Sequence, residues 1–209
     1  MTMKAPPLIT YPARPIQGGR LDLAPPKRGL WFAEPKLNGW RALIHTPTGT
    51  MWNRHGALLT IADCFRPALT TLATLSSRGL VWADCEALER RHNLGRGTLV
   101  VLDAVLAPCT SPYVQRRATL ESLIPCEPVF GGDSAHPVPC GTAVLAPALR
   151  VETHTDALTF YQQLRAANRA LGCDFFEGLV MKRADSPYPV QLRSPAEEFR
   201  GWVKHRFLT

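Results

Sequence analysis

The stretch that decides the reading is Glu34-Pro35-Lys36-Leu37-Asn38-Gly39-Trp40-Arg41. It lies between two short apolar runs, Leu30–Ala33 and Trp40–His45, that read as strands. A lysine at the turn between them sits on fixed backbone beside a partly dry surface. An amine attacks only when deprotonated, and neighbouring cations favour that form. On its own the stretch also fits a strand–turn–strand with surface charges.

Lysine is scarce in this chain. The 209 residues carry 24 Lys and Arg, of which only Lys4, Lys27, Lys36, Lys182 and Lys204 are lysine. Arginine serves solubility as well as lysine does but cannot become a neutral amine. Three of the five lysines fall in motifs. The net charge of +7 suits a polyanionic partner, though an arginine-rich composition alone produces the same surplus. No apolar run is long enough to span a bilayer, and Met1 to Pro15 lacks the apolar segment of a signal peptide. The expectation is a cytoplasmic protein with no membrane partner. The six cysteines form no C-x-x-C pair and read as reduced thiols. Cys126, His136 and Cys140 have the wrong spacing for structural zinc.

Outward from the lysine, residues 1–29 read as an extended arm and 30–209 as one domain. Thr50–Arg54, Leu80–Leu88, Thr98–Leu106, Ala143–Glu152, Gly178–Arg183 and Phe199–His205 read as strands. Helices are expected at 61–77, with a break near Pro67, at Gln115–Ile124 and at Asp156–Leu171. Thr155 and Gly172 are the expected caps of the last. Residues 125–142 read as a loop. The irregular mixture is α+β and argues against a Rossmann-type alternation.

Five more short motifs follow the first in order. They are Asn53-Arg54-His55-Gly56, Asp84-Cys85-Glu86, Leu102-Asp103-Ala104-Val105-Leu106, Glu177-Gly178-Leu179-Val180-Met181-Lys182 and Trp202-Val203-Lys204-His205-Arg206. Together the six resemble the motif series of the covalent nucleotidyltransferases: DNA ligases, RNA ligases and mRNA capping enzymes. The proline-rich arm before the first motif looks more like bacterial DNA ligases.

The resemblance implies an adenylation domain of two packed antiparallel sheets with flanking helices. It implies ATP as substrate, Mg²⁺ or Mn²⁺ as cofactor and nucleic acid, nicked duplex DNA above all, as partner. Lys36 would be the nucleophile that carries AMP. Backbone at Glu34 and Pro35 would meet adenine, and Arg41 and Glu86 the ribose. Arg54 would lie near the ribose or the acceptor phosphate. Glu177, with Glu86 or Asp84, would hold the metal. Lys182 and Lys204 would contact the α-phosphate, with Arg206 nearby, while Trp202 packs in the core.

Four positions depart from the pattern. Asn38 stands for the commoner Asp, Cys85 for Gly, and Leu102 for an aromatic that stacks on the base. The chain ends three residues after Arg206, so the expectation is no OB-fold domain and a protein partner supplying its function. RNA ligase, GTP-dependent capping and a non-catalytic nucleic-acid-binding module are the competing readings.

Overall fold

A computed structural model describes residues 13–21, 29–89, 91, 93–105, 110–124, 139–189 and 197–207. Cys109, Cys126 and His136, and most of the loop expected at 125–142, lie outside the described residues.

Among the described residues, ten strands form two five-stranded sheets. The strands are β1 (Arg14–Gln17), β2 (Trp31–Leu37), β3 (Trp40–His45), β4 (Thr50–Asn53), β5 (Trp82–Leu88), β6 (Thr98–Val105), β7 (Ala143–Leu145), β8 (Leu149–Val151), β9 (Phe176–Arg183) and β10 (Glu198–Arg206). The first sheet has the order β1-β10-β9-β2-β8 and the second β4-β3-β5-β6-β7. Most pairs are antiparallel, as expected, but β1 runs parallel to β10 and β7 parallel to β6. Residues 14–17 of the arm therefore join the first sheet as its edge strand. The described residues contain no OB-type barrel. None of their helices is long and apolar enough to cross a membrane.

Period-two alternation sorts each strand onto two faces. On β5, Ala83, Cys85 and Ala87 enter a core with Ile44, Met51, Phe65, Leu72 and Leu120. Asp84 and Glu86 point the other way, toward the first sheet. Helices α1 (Arg66–Ser76) and α2 (Tyr113–Leu123) supply Leu72 and Leu120 to that core. A short 3₁₀ turn, Ala62–Phe65, precedes α1, so the break falls before Pro67, which sits in the first helical turn where its missing N–H costs nothing. Helix α3 (His154–Leu171) covers the outer face of the first sheet through Ala157, Leu164 and Ala167, against Ala33, Leu179 and Met181. Its N-cap is Thr153 rather than Thr155, in a capping box with Asp156, and Gly172 closes it in the left-handed conformation.

Two expected strands change extent in ways that matter. Ala143–Glu152 is not one strand but two, β7 in the second sheet and β8 in the first. Pro147 lies between them and cannot donate to a ladder. β2 runs on past Ala33 through Pro35 to Leu37, so Lys36 stands on a strand and the turn is Asn38-Gly39. Pro35 is tolerated because β8 pairs only with Trp31, Phe32 and Ala33, which leaves that side of Pro35 without a partner strand.

Candidate active site

The facing surfaces of the two sheets enclose a cleft of about 750 Å³. β2 lends it Glu34 and Lys36 on one face, two residues apart. Directly across, Lys36 faces Gly178 on β9, which in turn faces Arg206 on β10. Glu34 faces Val180 and then Lys204, and Phe32 faces Lys182 and then Trp202. From the second sheet come Arg41 on β3, Glu86 on β5 and Leu102 on β6. Pro35, Arg54 and Glu177 complete the expected set, and every one of these residues lines the same cleft.

Two β-bulges aim groups that regular alternation would turn away. Lys36 pairs with Gly178 and Leu37 with Phe176, so Glu177 is the extra residue on β9. Its carboxylate accepts a hydrogen bond from Lys36 Nζ, and Arg206 Nη2 lies 3.4 Å from the same oxygen. On β6, Leu102 is the extra residue opposite Asp84 and Cys85. Its carbonyl accepts from Lys182 Nζ at 2.8 Å.

Gly178 carries no side chain for a physical reason. A Cβ there would lie 1.9 Å from the His205 carbonyl oxygen and 2.8 Å from Arg206 Cα, and its φ is 141°. Gly39 is constrained likewise, by the Ala87 carbonyl and the Glu86 side chain, each 2.8 Å from an added Cβ. Gly178 lets β10 approach β9 closely, and Gly39 lets the turn after β2 approach β5.

Much of the charge is already matched. Lys182 is 2% exposed and pairs with Glu34 at 2.8 Å and with Asp103 at 3.7 Å. Its ammonium lies 4.5 Å from the centre of the Trp202 ring and 5.0 Å from that of Tyr113. Tyr113 donates its hydroxyl to Glu34 at 2.5 Å. The expected α-phosphate ligand Lys182 and the expected adenine neighbour Glu34 thus hold one another at the floor of the cleft. Arg41 makes a two-pronged pair with Asp84, at 2.9 and 2.5 Å. Burial opposes its charge, but Asp84 outweighs burial and holds the guanidinium ionised. Tyr188 donates to the same carboxylate at 2.9 Å. Asp84 is therefore already engaged by Arg41 and Tyr188.

Glu86 differs. Burial pushes its carboxyl up to about 7, with Lys36 and Arg41 opposing, and Asp84 and Glu177 adding to the rise. Among the described residues nothing donates a hydrogen bond to it. A partly buried carboxylate without a donor suits a cation. Glu86 and Glu177 offer oxygen donors on one cleft, and no cluster of three or more metal-binding side chains occurs among the described residues. Two carboxylates, with the remaining positions left to water and phosphate, is the donor set that Mg²⁺ takes. The residues present fit the ion that the motifs imply.

The remaining expectations fall as follows. Arg54 is exposed at the rim, its Nε 3.0 Å from His55 Nε2. Lys204 is held below its ordinary value, first by burial and then by Arg206, with Lys36 and Arg14 adding. Trp202 is 2% exposed and packs with Leu43, Trp82, Val105 and Tyr188. Asn38 donates its side-chain amide to the Asp174 carbonyl at 2.9 Å, which an aspartate cannot do. Cys85 is fully buried on the far side of β5, and burial pushes its thiol well up. Sequence reading missed Tyr113, Tyr188 and Arg116. It missed Arg14 and Gln17 as well, which line the cleft from β1.

No family model matches the chain, and no curated protein matches it. Solved structures do. Chlorella virus DNA ligase-adenylate superposes with a TM-score of 0.58 at 14% identity, over 95% of this chain and 68% of that one. The ligase domain of LigD from M. tuberculosis gives 0.59 at 19%, over 94% and 59%. An archaeal ATP-dependent RNA ligase gives 0.58 at 16%, over 94% and 48%. The chain has the nucleotidyltransferase fold that these DNA and RNA ligases share, and it spans between about half and two thirds of their lengths.

Proposed function

We propose that the chain is the nucleotidyltransferase core of an ATP-dependent polynucleotide ligase, with Lys36 as the residue that takes AMP. The observation that carries this is the convergence of six separated motifs on one cleft, with the only ammonium of β2 at its centre and paired to Glu177.

The side chains suggest how the first step runs. Lys36 must act as a free amine, so Glu177 has to leave it. Glu86 and Glu177 share one cleft and would hold a divalent cation once Glu177 turns from Lys36; such a cation would supply positive charge to the phosphate oxygens. The Lys36 nitrogen forms a bond to the α-phosphorus, and the bond from that phosphorus to the bridging oxygen breaks. The electron pair leaves on pyrophosphate and the nitrogen sheds a proton. Lys204 and Arg206, which line the same cleft from β10, offset the charge that builds on phosphate oxygen. Leu102 presents an apolar surface to the base in place of a stacking ring, and Glu34 and Pro35 bring the β2 backbone to it. AMP then passes to a nucleic-acid 5′-phosphate, and a 3′-hydroxyl displaces it. Nicked duplex DNA is the proposed substrate.

The test is incubation of the purified chain with α-labelled ATP or GTP and Mg²⁺, followed by denaturation. ATP label that survives denaturation and is absent from Lys36→Ala supports the reading. Label from GTP alone points to a capping-type guanylyltransferase. No label with Mg²⁺ or Mn²⁺ leaves a binding module. Sealing of a nick in DNA, against one in RNA, then identifies the acceptor.

A further inference from the structure

The positive charge of the cleft is unevenly cancelled. Arg41 and Lys182 are matched by Asp84 and Glu34, and Lys36 and Arg206 share Glu177. Among the described residues neither Arg14 nor Lys204 has an ion pair. Both line the cleft at one side, where β1 runs along β10 and Gln17 stands beside Lys204. The unmatched charge therefore lies on the β1 edge, with Val180 and Trp202 on the strands beside it and Leu102 on the facing sheet.

β2 and β1 are separated by two strands, roughly 14 Å across the sheet at about 4.8 Å per step. Lys36 stands level with Arg206 and Arg14 level with Glu198, so the two are also offset along the strands, with Lys204 between them on β10. The Lys36 side chain reaches inward from one side and the Arg14 side chain from the other. A phosphate held at Lys36 leaves room for further phosphates to run toward β1, over Lys204. Arginine is suited to that end, because its planar fork grips two phosphate oxygens at once.

We propose that Arg14, a residue outside all six motifs, binds the phosphates beyond the one Lys36 attacks. It would hold the β- and γ-phosphates of the nucleotide and then the pyrophosphate that leaves. This rests on the reading of Lys36 as nucleophile, and it adds a residue of the edge strand to the leaving-group side. Gln17, the neighbour of Lys204, is placed to donate to the same oxygens.

The deciding measurement is calorimetric binding of inorganic pyrophosphate and of AMP, each with Mg²⁺, to the full chain. Arg14→Gln weakens pyrophosphate binding roughly tenfold, as loss of a charged hydrogen-bonding partner does, and leaves AMP binding within about twofold. Arg14→Lys, which keeps the charge and loses the fork, falls between and serves if Arg14→Gln does not fold. Arg150→Gln, on the far edge strand, binds as the wild type does. A second arm follows reversal of the labelled chain by pyrophosphate. There Arg14→Gln needs about tenfold more pyrophosphate for the same rate. Unchanged pyrophosphate binding in Arg14→Gln, equal loss of AMP binding, or no pyrophosphate binding by the wild type overturns the proposal. The two readings fail separately. A chain that takes no label yet binds pyrophosphate through Arg14 loses only the ligase reading. A chain that takes label with Arg14→Gln unchanged loses only this subsite.

Discussion

Gly178 is where a single atom does most harm. An added Cβ collides with the His205 carbonyl on the neighbouring strand, in a backbone conformation that side chains rarely adopt. Gly178→Ala should cost on the order of 3 kcal/mol, lowering the melting temperature by about 10 °C. Calorimetric melting checks this, and a variant as stable as the parent contradicts the packing described. Glu86 gives a prediction in pH. Its carboxyl is raised from 4.5 to about 7 by burial. Between those values the folded chain keeps a proton that the unfolded chain has lost, so this group makes stability fall as pH rises, and the full cost stands above pH 7. Glu86→Gln should therefore gain on the order of 3 kcal/mol at pH 8 and nothing at pH 4. If Glu86 binds the cation as a carboxylate, covalent labelling of the wild type rises through about pH 7, and Glu86→Gln shows neither the rise nor the labelling.

At the scale of elements, helix α2 is tied to the cleft by charge. Arg116, wholly buried, grips Asp103 on β6 at 2.8 and 3.0 Å and reaches the Ser111 and Ser186 carbonyls. Arg116→Met strands the buried carboxylate and should cost about 3–5 kcal/mol, read from denaturant unfolding. A loss under about 1 kcal/mol would show that Lys182, 3.7 Å from Asp103, suffices alone. Alternation along β5 and the helical period of α3 could be read from the residues, because burial on one face leaves a pattern. On β5 the structure has Glu86 on the cleft face and Cys85 behind it. The bulges at Glu177 and Leu102 could not be read. They depend on which residue of a partner strand stands opposite, and no local pattern carries that register. The same holds for Arg116 and Asp103, whose pairing is fixed by where α2 docks. The division of Ala143–Glu152 had a visible cause in Pro147, yet the switch of sheet follows from the fold around it.

The whole molecule explains why motifs far apart in sequence act as one. Each sheet turns one face to a helical layer and the other to the cleft. Strands β2, β9 and β10 bring Lys36, Lys182, Lys204 and Arg206 from one side, and β3, β5 and β6 bring Arg41, Glu86 and Leu102 from the other. The motif set and its order could be read from the chain; the pairing of Glu34 with Lys182 and of Arg41 with Asp84 could not, because each partner lies in a different strand. The central claim is that this cleft makes Lys36 a nucleophile toward ATP. Peptide mass mapping after incubation with ATP and Mg²⁺ tests it most directly. One AMP is expected on Lys36, added through a phosphoramidate and on no other lysine, lost on brief acid treatment and absent from Lys36→Ala. An unmodified Lys36 peptide, or AMP on another residue, contradicts it.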